Sequence, residues 1–346
     1  MLWQQSEVLV HDMWQHGGLQ SASQCELDVP PLYHVLRQVR PWIPRDARRR
    51  GASLHEALRP MLVAAQVFAL MPVEGLRRAS PASLRYRWLS FRTAYSLVMA
   101  VGSALMVVTH VMWLTETSFA FSNTSPGVFF MCHVLTSLLF VQLARGWPDL
   151  MAQWWAMDAT VPSFNPRLPK LFYIITCVLM LTALAEHILA RLFNVVHAYE
   201  CSPGGLSWLQ LYLANEFPSA YHYIGFSYWT SAWLATINTA ATFSWNYMDL
   251  FLILISLALA DRFEHFNQDI ARVFDRAVPQ KIWQRIRENY CSLAHLAQAT
   301  NARINKIVLL SFTTNLYFIC YQLLNSLSDA SCTKPGRLNE VLVDSI

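Results

Sequence analysis

The run Ala94–Leu114, AYSLVMAVGSALMVVTHVMWL, holds 21 residues without one formally charged side chain. A helix needs about 20 apolar residues to cross a bilayer. Inside the hydrocarbon only helices and closed barrels satisfy their own backbone. Working outward, four more such runs follow: Gly127–Ala144, Leu171–Ala190, Thr230–Ala260 and Ile307–Leu327. The only formal charges in all five are Glu186 and Asp249. The sequence therefore reads as an all-α, multi-pass transmembrane protein with five spans, 94–114, 127–144, 171–190, 230–260 and 307–327.

Charge sets the orientation. Twelve Lys and Arg precede the first span, three lie in 145–170 and eight in 261–306, whereas the loops 115–126 and 191–229 share Arg191 alone. The positive-inside rule puts the N-terminus and the two cation-rich loops in the cytoplasm. The sequon Asn123-Thr124-Ser125 then falls outside, where a glycosylation acceptor belongs, although Pro126 and the short loop weigh against its use. Charged residues make up 14% of the chain and hydrophobic ones 54%, with a net charge of +4. Spread over three segments, that excess reads as topology and contact with membrane lipid, not as nucleic-acid binding. The seven Cys show no metal-ligand spacing. Cys132, Cys177 and Cys320 lie inside spans as packing residues, and only Cys201 and Cys332 are placed to form an extracellular disulfide. The first 30 residues lack the basic flank and apolar core of a signal peptide, so the first span serves as its own insertion signal.

Residues 1–93 read as a cytoplasmic N-terminal region with a basic run, Arg45–Arg50. Within it Leu54–Leu76, LHEALRPMLVAAQVFALMPVEGL, has an apolar core of about 13 residues, too short to span and suited to an interfacial or re-entrant helix. Pro60 and Pro72 are expected to bracket or break it. The run 230–260 exceeds what a bilayer requires, so its helix is expected to tilt or to project past the outer headgroups. Before it, 191–229 carries the turn signal Pro203-Gly204-Gly205 and the rings Trp208, Tyr212, Tyr221, Tyr223, Tyr228 and Trp229. These fit an aromatic belt, with ligand contact as the other reading. In 280–306, Ile282, Ile286, Tyr290, Leu293, Ala297 and Ile304 recur at helical spacing. One helix of roughly 70 Å is expected from Gln280 to Leu327. An apolar stripe standing out of the membrane needs a partner, which points to oligomerisation.

Several of these segments resemble the insect gustatory receptors, specifically the sugar-receptor branch. The resemblance rests on Leu54–Leu76, on Arg87-Trp88-Leu89-Ser90-Phe91-Arg92, and on Ser137–Trp155, SLLFVQLARGWPDLMAQWW. It continues through Leu184-Ala185-Glu186-His187-Ile188-Leu189, Trp245–Leu257, WNYMDLFLILISL, and Thr314–Leu327, TNLYFICYQLLNSL. It implies a ligand-gated, nonselective cation channel in the plasma membrane, with seven spans and a cytoplasmic N-terminus. It further implies assembly with other gustatory receptor subunits as a homo- or hetero-tetramer, a sugar pocket open to the outside, and a pore lined by the last span. No enzyme activity, cofactor or metal is implied, and no enzyme motif is found. Residues 94–327 correspond to part of the family's transmembrane domain. The tail 328–346 matches nothing in the family, so the chain is expected to be a truncated form lacking the pore-lining span. The alternatives are a non-conducting, dominant-negative regulatory subunit and, less well supported for want of inverted repeats, a transporter.

An acid at membrane depth costs on the order of 3 kcal/mol on insertion scales, so Asp249 should face protein or water. For Asp249 two readings stand: acceptor for sugar hydroxyls or gating contact, and helix–helix hydrogen bond. Glu186 and His187 lie at the depth where the family's pocket opens. Sugar sites combine planar polar groups with aromatic faces. Trp245 and Asn246 on the fourth span, with Tyr317, Tyr321, Gln322 and Asn325 on the fifth, offer that mixture, each also readable as packing. Asp261-Arg262-Phe263 looks superficially like a G-protein-coupled-receptor triplet but sits on the wrong span in an inverted topology, and reads as ordinary inner-interface charge.

Overall fold

In the computed structural model, residues 53–78, 80–117, 121–160, 165–200, 208–274 and 279–326 are described. The tail 328–346, residues 1–52 with the basic run Arg45–Arg50, and the Pro203-Gly204-Gly205 turn lie outside them. Eight α-helices occur among the described residues: α1 Leu54–Val67, α2 Phe91–Glu116, α3 Ser125–Thr160, α4 Leu168–Glu200, α5 Trp208–Glu216, α6 Pro218–Ile224, α7 Tyr228–Phe274 and α8 Gln280–Ser326. Five of them, α2, α3, α4, α7 and α8, are long and apolar enough to cross a membrane.

The helices overrun the apolar runs that announce them. α3 continues through the first part of the segment expected to be the loop 145–170, because Trp147, Leu150, Met151, Trp154 and Met157 keep helical spacing and are all buried. α7 reaches Phe274, so its surplus length extends from the inner end of the run 230–260. No Gly or Pro stands between Tyr228 and Phe274 to stop it. α8 is one helix over Gln280–Ser326, close to expectation. Part of its apolar stripe finds its cover within the chain: Leu293, Leu296 and Ile304 are buried, and Tyr290 meets Phe266 of α7 at 5.7 Å. Ile282 and Trp283 stay exposed.

α7 is the hub, packing on α1, α2, α3, α4 and α8. In lipid the hydrophobic effect does not drive helices together, so close packing and interhelical hydrogen bonds must hold them. Gly102 of α2 lets Ile237 of α7 approach so closely that a Cβ would lie 2.6 Å from the Ile237 Cδ1. At the inner end Arg262 pairs with Asp158 of α3, and Asn165 donates to Asp261 at 3.2 Å. Arg262 is only 4% exposed. Asp261-Arg262 is thus a buried interhelical clasp and not ordinary interface charge.

α1 starts with a capping box, Ser53 and Glu56 each bonding the other's backbone N–H. Pro60 lies inside it, and it ends before the expected 76. Ala69 and Met71 adopt positive φ, 62° and 49°, ahead of Pro72, and Gln66 spans the bend by donating to the carbonyls of Met71 and Val73 at 3.2 and 2.6 Å. The segment is wedged between spans: Met61 touches Tyr247, Phe68 stacks on Phe243 at 4.5 Å, and Ser96 donates to the Ala69 carbonyl at 2.5 Å. The chain returns through the two-residue strands β1 Val73–Glu74 and β2 Arg85–Tyr86, which pair antiparallel.

Candidate ligand site

One group of buried polar residues gathers where α3, α7 and α8 meet. Asp249 of α7 accepts from the Ser311 hydroxyl at 2.6 Å on one carboxylate oxygen and from the Asn315 amide at 3.3 Å on the other. One turn back, the Trp245 indole N–H donates to the Asn315 side-chain Oδ1 at 3.1 Å, and its ring meets Phe318 at 4.3 Å. Both oxygens of Asp249 are therefore spent across the α7–α8 interface, and Asn315 of α8 serves α7 as both donor and acceptor. A cavity beside Trp245, walled by His133, Thr136, Met248 and Thr314, has a volume of about 10 Å³, room for about one water. Both ring nitrogens of His133 are buried there without a hydrogen-bond partner.

Above this cluster, α8 carries an aromatic tier. Tyr317 and Tyr321 stack at 6.2 Å, and Phe121, in the turn Phe121–Asn123, reaches them at 5.8 and 6.2 Å. The Tyr317 hydroxyl bonds that of Thr124 at 2.7 Å. Asn123 is half-buried, and its carbonyl accepts from His110 Nε2 at 2.8 Å. Tyr221 of α6, outside the spans, hydrogen-bonds Ser231, and burial raises its phenol pKa.

Of the residues singled out from sequence, Trp245 and Asp249 share one cluster, with Tyr317 and Tyr321 next to it. Asn246 bonds the Thr242 carbonyl of its own helix, and Gln322 is exposed. The Asn325 side chain lies outside the described residues. Glu186 and His187 stand apart: Glu186 is exposed, and His187 meets Phe243, on the far side of α7 from Trp245 at 3.6 residues per turn. Ser311, Asn315, His133 and Thr124 were not anticipated. A signal existed for the first two, because polar residues four apart in an apolar run share a helix face.

The sequence matches the family model described as trehalose receptor over residues 40–334. The chain belongs to the trehalose receptor family, within the insect gustatory receptors. It is 28% identical over 328 residues to the "Gustatory receptor for sugar taste 64f" of Drosophila melanogaster, covering 92% of this chain and 70% of that protein. It is 29% identical over 302 residues to the "Gustatory receptor 5a for trehalose" of the same organism, covering 85% of this chain and 67% of that one. With "Gustatory receptor for sugar taste 64a" the identity is 27%, and the shares are 78% and 62%. This trehalose receptor family member is a multi-pass membrane protein, and its relatives are receptors, not enzymes.

Proposed function

We propose that this chain is a sugar-taste receptor acting as a subunit of a ligand-gated, nonselective cation channel. The observation that carries the reading is the family match across residues 40–334, together with relatives whose names specify sugar taste or trehalose. The aromatic tier supports a sugar site on the outer side of α8. Phe121, Tyr317 and Tyr321 supply ring faces and hydroxyls, the mixture that recognises a sugar's apolar face and its OH groups. The cavity beside Trp245 holds no sugar at about 10 Å³. In this mechanism a sugar engages Tyr317 and Tyr321 and competes for the Thr124–Tyr317 bond. The outer end of α8 then shifts against α3, and the Asp249–Ser311–Asn315 contact carries the shift to α7. The shift can be no larger than the sugar's preference for one arrangement over the other.

Purified chain in detergent micelles tests binding: trehalose or another disaccharide raises the thermal midpoint in proportion to the logarithm of its concentration above Kd, and Tyr321→Ala removes the rise. Co-expression with a full-length relative tests gating through sugar-evoked cation current. If no sugar moves the midpoint and none evokes current, the proposal fails.

A further inference from the structure

A second cavity, of about 540 Å³, opens in the connection between β1 and β2, ahead of α2. Its wall carries Arg78, Arg85, Ser80 and Ser83. Both arginines are exposed, and neither guanidinium has a partner among the described residues. The one acid in the wall, Glu74, lies across the strand pair from Arg85 and also faces Arg87 at 3.8 Å, so the wall sets two cations against one carboxylate.

The wall is held in shape by contacts that do not use these cations. Gly75 sits at φ +86°, and a Cβ there would lie 2.1 Å from the Ser83 carbonyl oxygen, so only Gly lets the loop close. The Ser83 hydroxyl lies 2.7 Å from the Ser80 carbonyl. From the buried side, His55 of α1 donates through Nε2 to the Arg78 carbonyl at 3.0 Å. Immediately after β2, Trp88, Leu89 and Phe91 are 56%, 99% and 85% exposed at the foot of the first span, on the cation-rich side of the protein. Exposed aromatic and aliphatic side chains at a span end, with the Arg145 guanidinium 5.1 Å over the Trp88 ring, suit the layer between headgroups and acyl chains.

We infer that this cavity binds the phosphorylated headgroup of an anionic lipid of the cytoplasmic leaflet. Arg78 and Arg85 clamp the phosphate oxygens by charge-assisted hydrogen bonds, the Ser80 hydroxyl on the rim supplies a neutral donor, and Trp88, Leu89 and Phe91 enter the leaflet beside it. The volume falls in the range of small-molecule sites and admits a multiply phosphorylated headgroup. A free phosphate compound offers the same anionic chemistry, and the test separates the two sources.

The 346-residue chain in detergent micelles is titrated with fluorescent dioctanoyl phosphatidylinositol bisphosphate. Arg78→Gln with Arg85→Gln weakens binding by about tenfold or more, whereas Arg77→Gln, an adjacent exposed arginine outside the wall, changes it by about twofold or less. Ala82→Trp fills the cavity with every charge kept and also costs about tenfold. Arg85→Gln alone, at an exposed β2 position, supplies the comparison if the double variant aggregates. Inositol trisphosphate, lacking acyl chains, competes only at concentrations about tenfold higher. Equal affinity of wild type and the Arg variants overturns the site. Undiminished binding to Ala82→Trp reduces it to diffuse attraction, and competition by inositol trisphosphate at equal concentration transfers it to a soluble phosphate; either result overturns the lipid assignment.

Discussion

Asp249 on α7 and Glu186 on α4 are the two carboxylates carried by the apolar runs, and their surroundings differ. Asp249 receives Ser311 and Asn315 from α8. Glu186 is exposed on a helix whose most apolar window is 17% buried, against 56% for α7. Hydropathy assigns both residues to a membrane span and cannot distinguish them, because it counts charge and not donors. A carboxylate met from a neighbouring helix ties two spans together. One facing away from its own bundle contributes nothing to that bundle, and any use it has comes from something other than the described chain.

The sharpest way to break the comparison is to remove the partner of a third, fully engaged acid. Arg262→Ala leaves Asp158 of α3 buried and uncompensated, which should cost about 3–5 kcal/mol of unfolding free energy in detergent. A loss below about 1 kcal/mol would place the pair among solvated surface bridges. Asp249→Ala comes next. It strands the Ser311 hydroxyl and the Asn315 amide, for an expected loss of about 1–2 kcal/mol. No measurable loss would mean that water replaces the carboxylate and the contact ties nothing.

The five spans were legible because about 20 uncharged residues have one stable conformation in lipid, and the helix Gln280–Ser326 because nothing in it breaks a helix. The extensions of α3 and α7 were less so. Their buried residues Trp147, Trp154 and Arg262 mix with polar neighbours that resemble a loop when read as charge alone. The site was half legible. Trp245, Asp249, Tyr317 and Tyr321 advertise themselves by type, whereas Ser311 and Asn315 acquire meaning only when α8 is set against α7 in register. The wedge formed by residues 54–71 depends on positive φ at Ala69 and Met71, which no pattern of residue types announces.

A subtler effect concerns pH at the base of that wedge. His55 is buried, and desolvation lowers its pKa, opposed by the Arg78 carbonyl it bonds. The fold therefore prefers the neutral ring. That contribution is complete above the unfolded value of about 6.5 and is lost as pH falls through the lowered folded value. Stability should decline on acidification below about 6.5, and His55→Asn should flatten that limb. An unchanged limb would assign acid sensitivity to the carboxylates. The smallest expected effect is that of Glu186→Ala, within about 0.5 kcal/mol for the isolated chain. A larger loss would reveal a partner for Glu186 inside the subunit.

The most direct test is a double-mutant cycle on thermal or denaturant unfolding, with Asp249→Ala and Ser311→Ala made singly and together. The expected coupling is about 0.6–1.7 kcal/mol, the range for interhelical hydrogen bonds in a membrane, whereas Glu186→Ala combined with Ser311→Ala should be additive. Additivity for Asp249 and Ser311 would contradict the claim that this carboxylate joins α7 to α8.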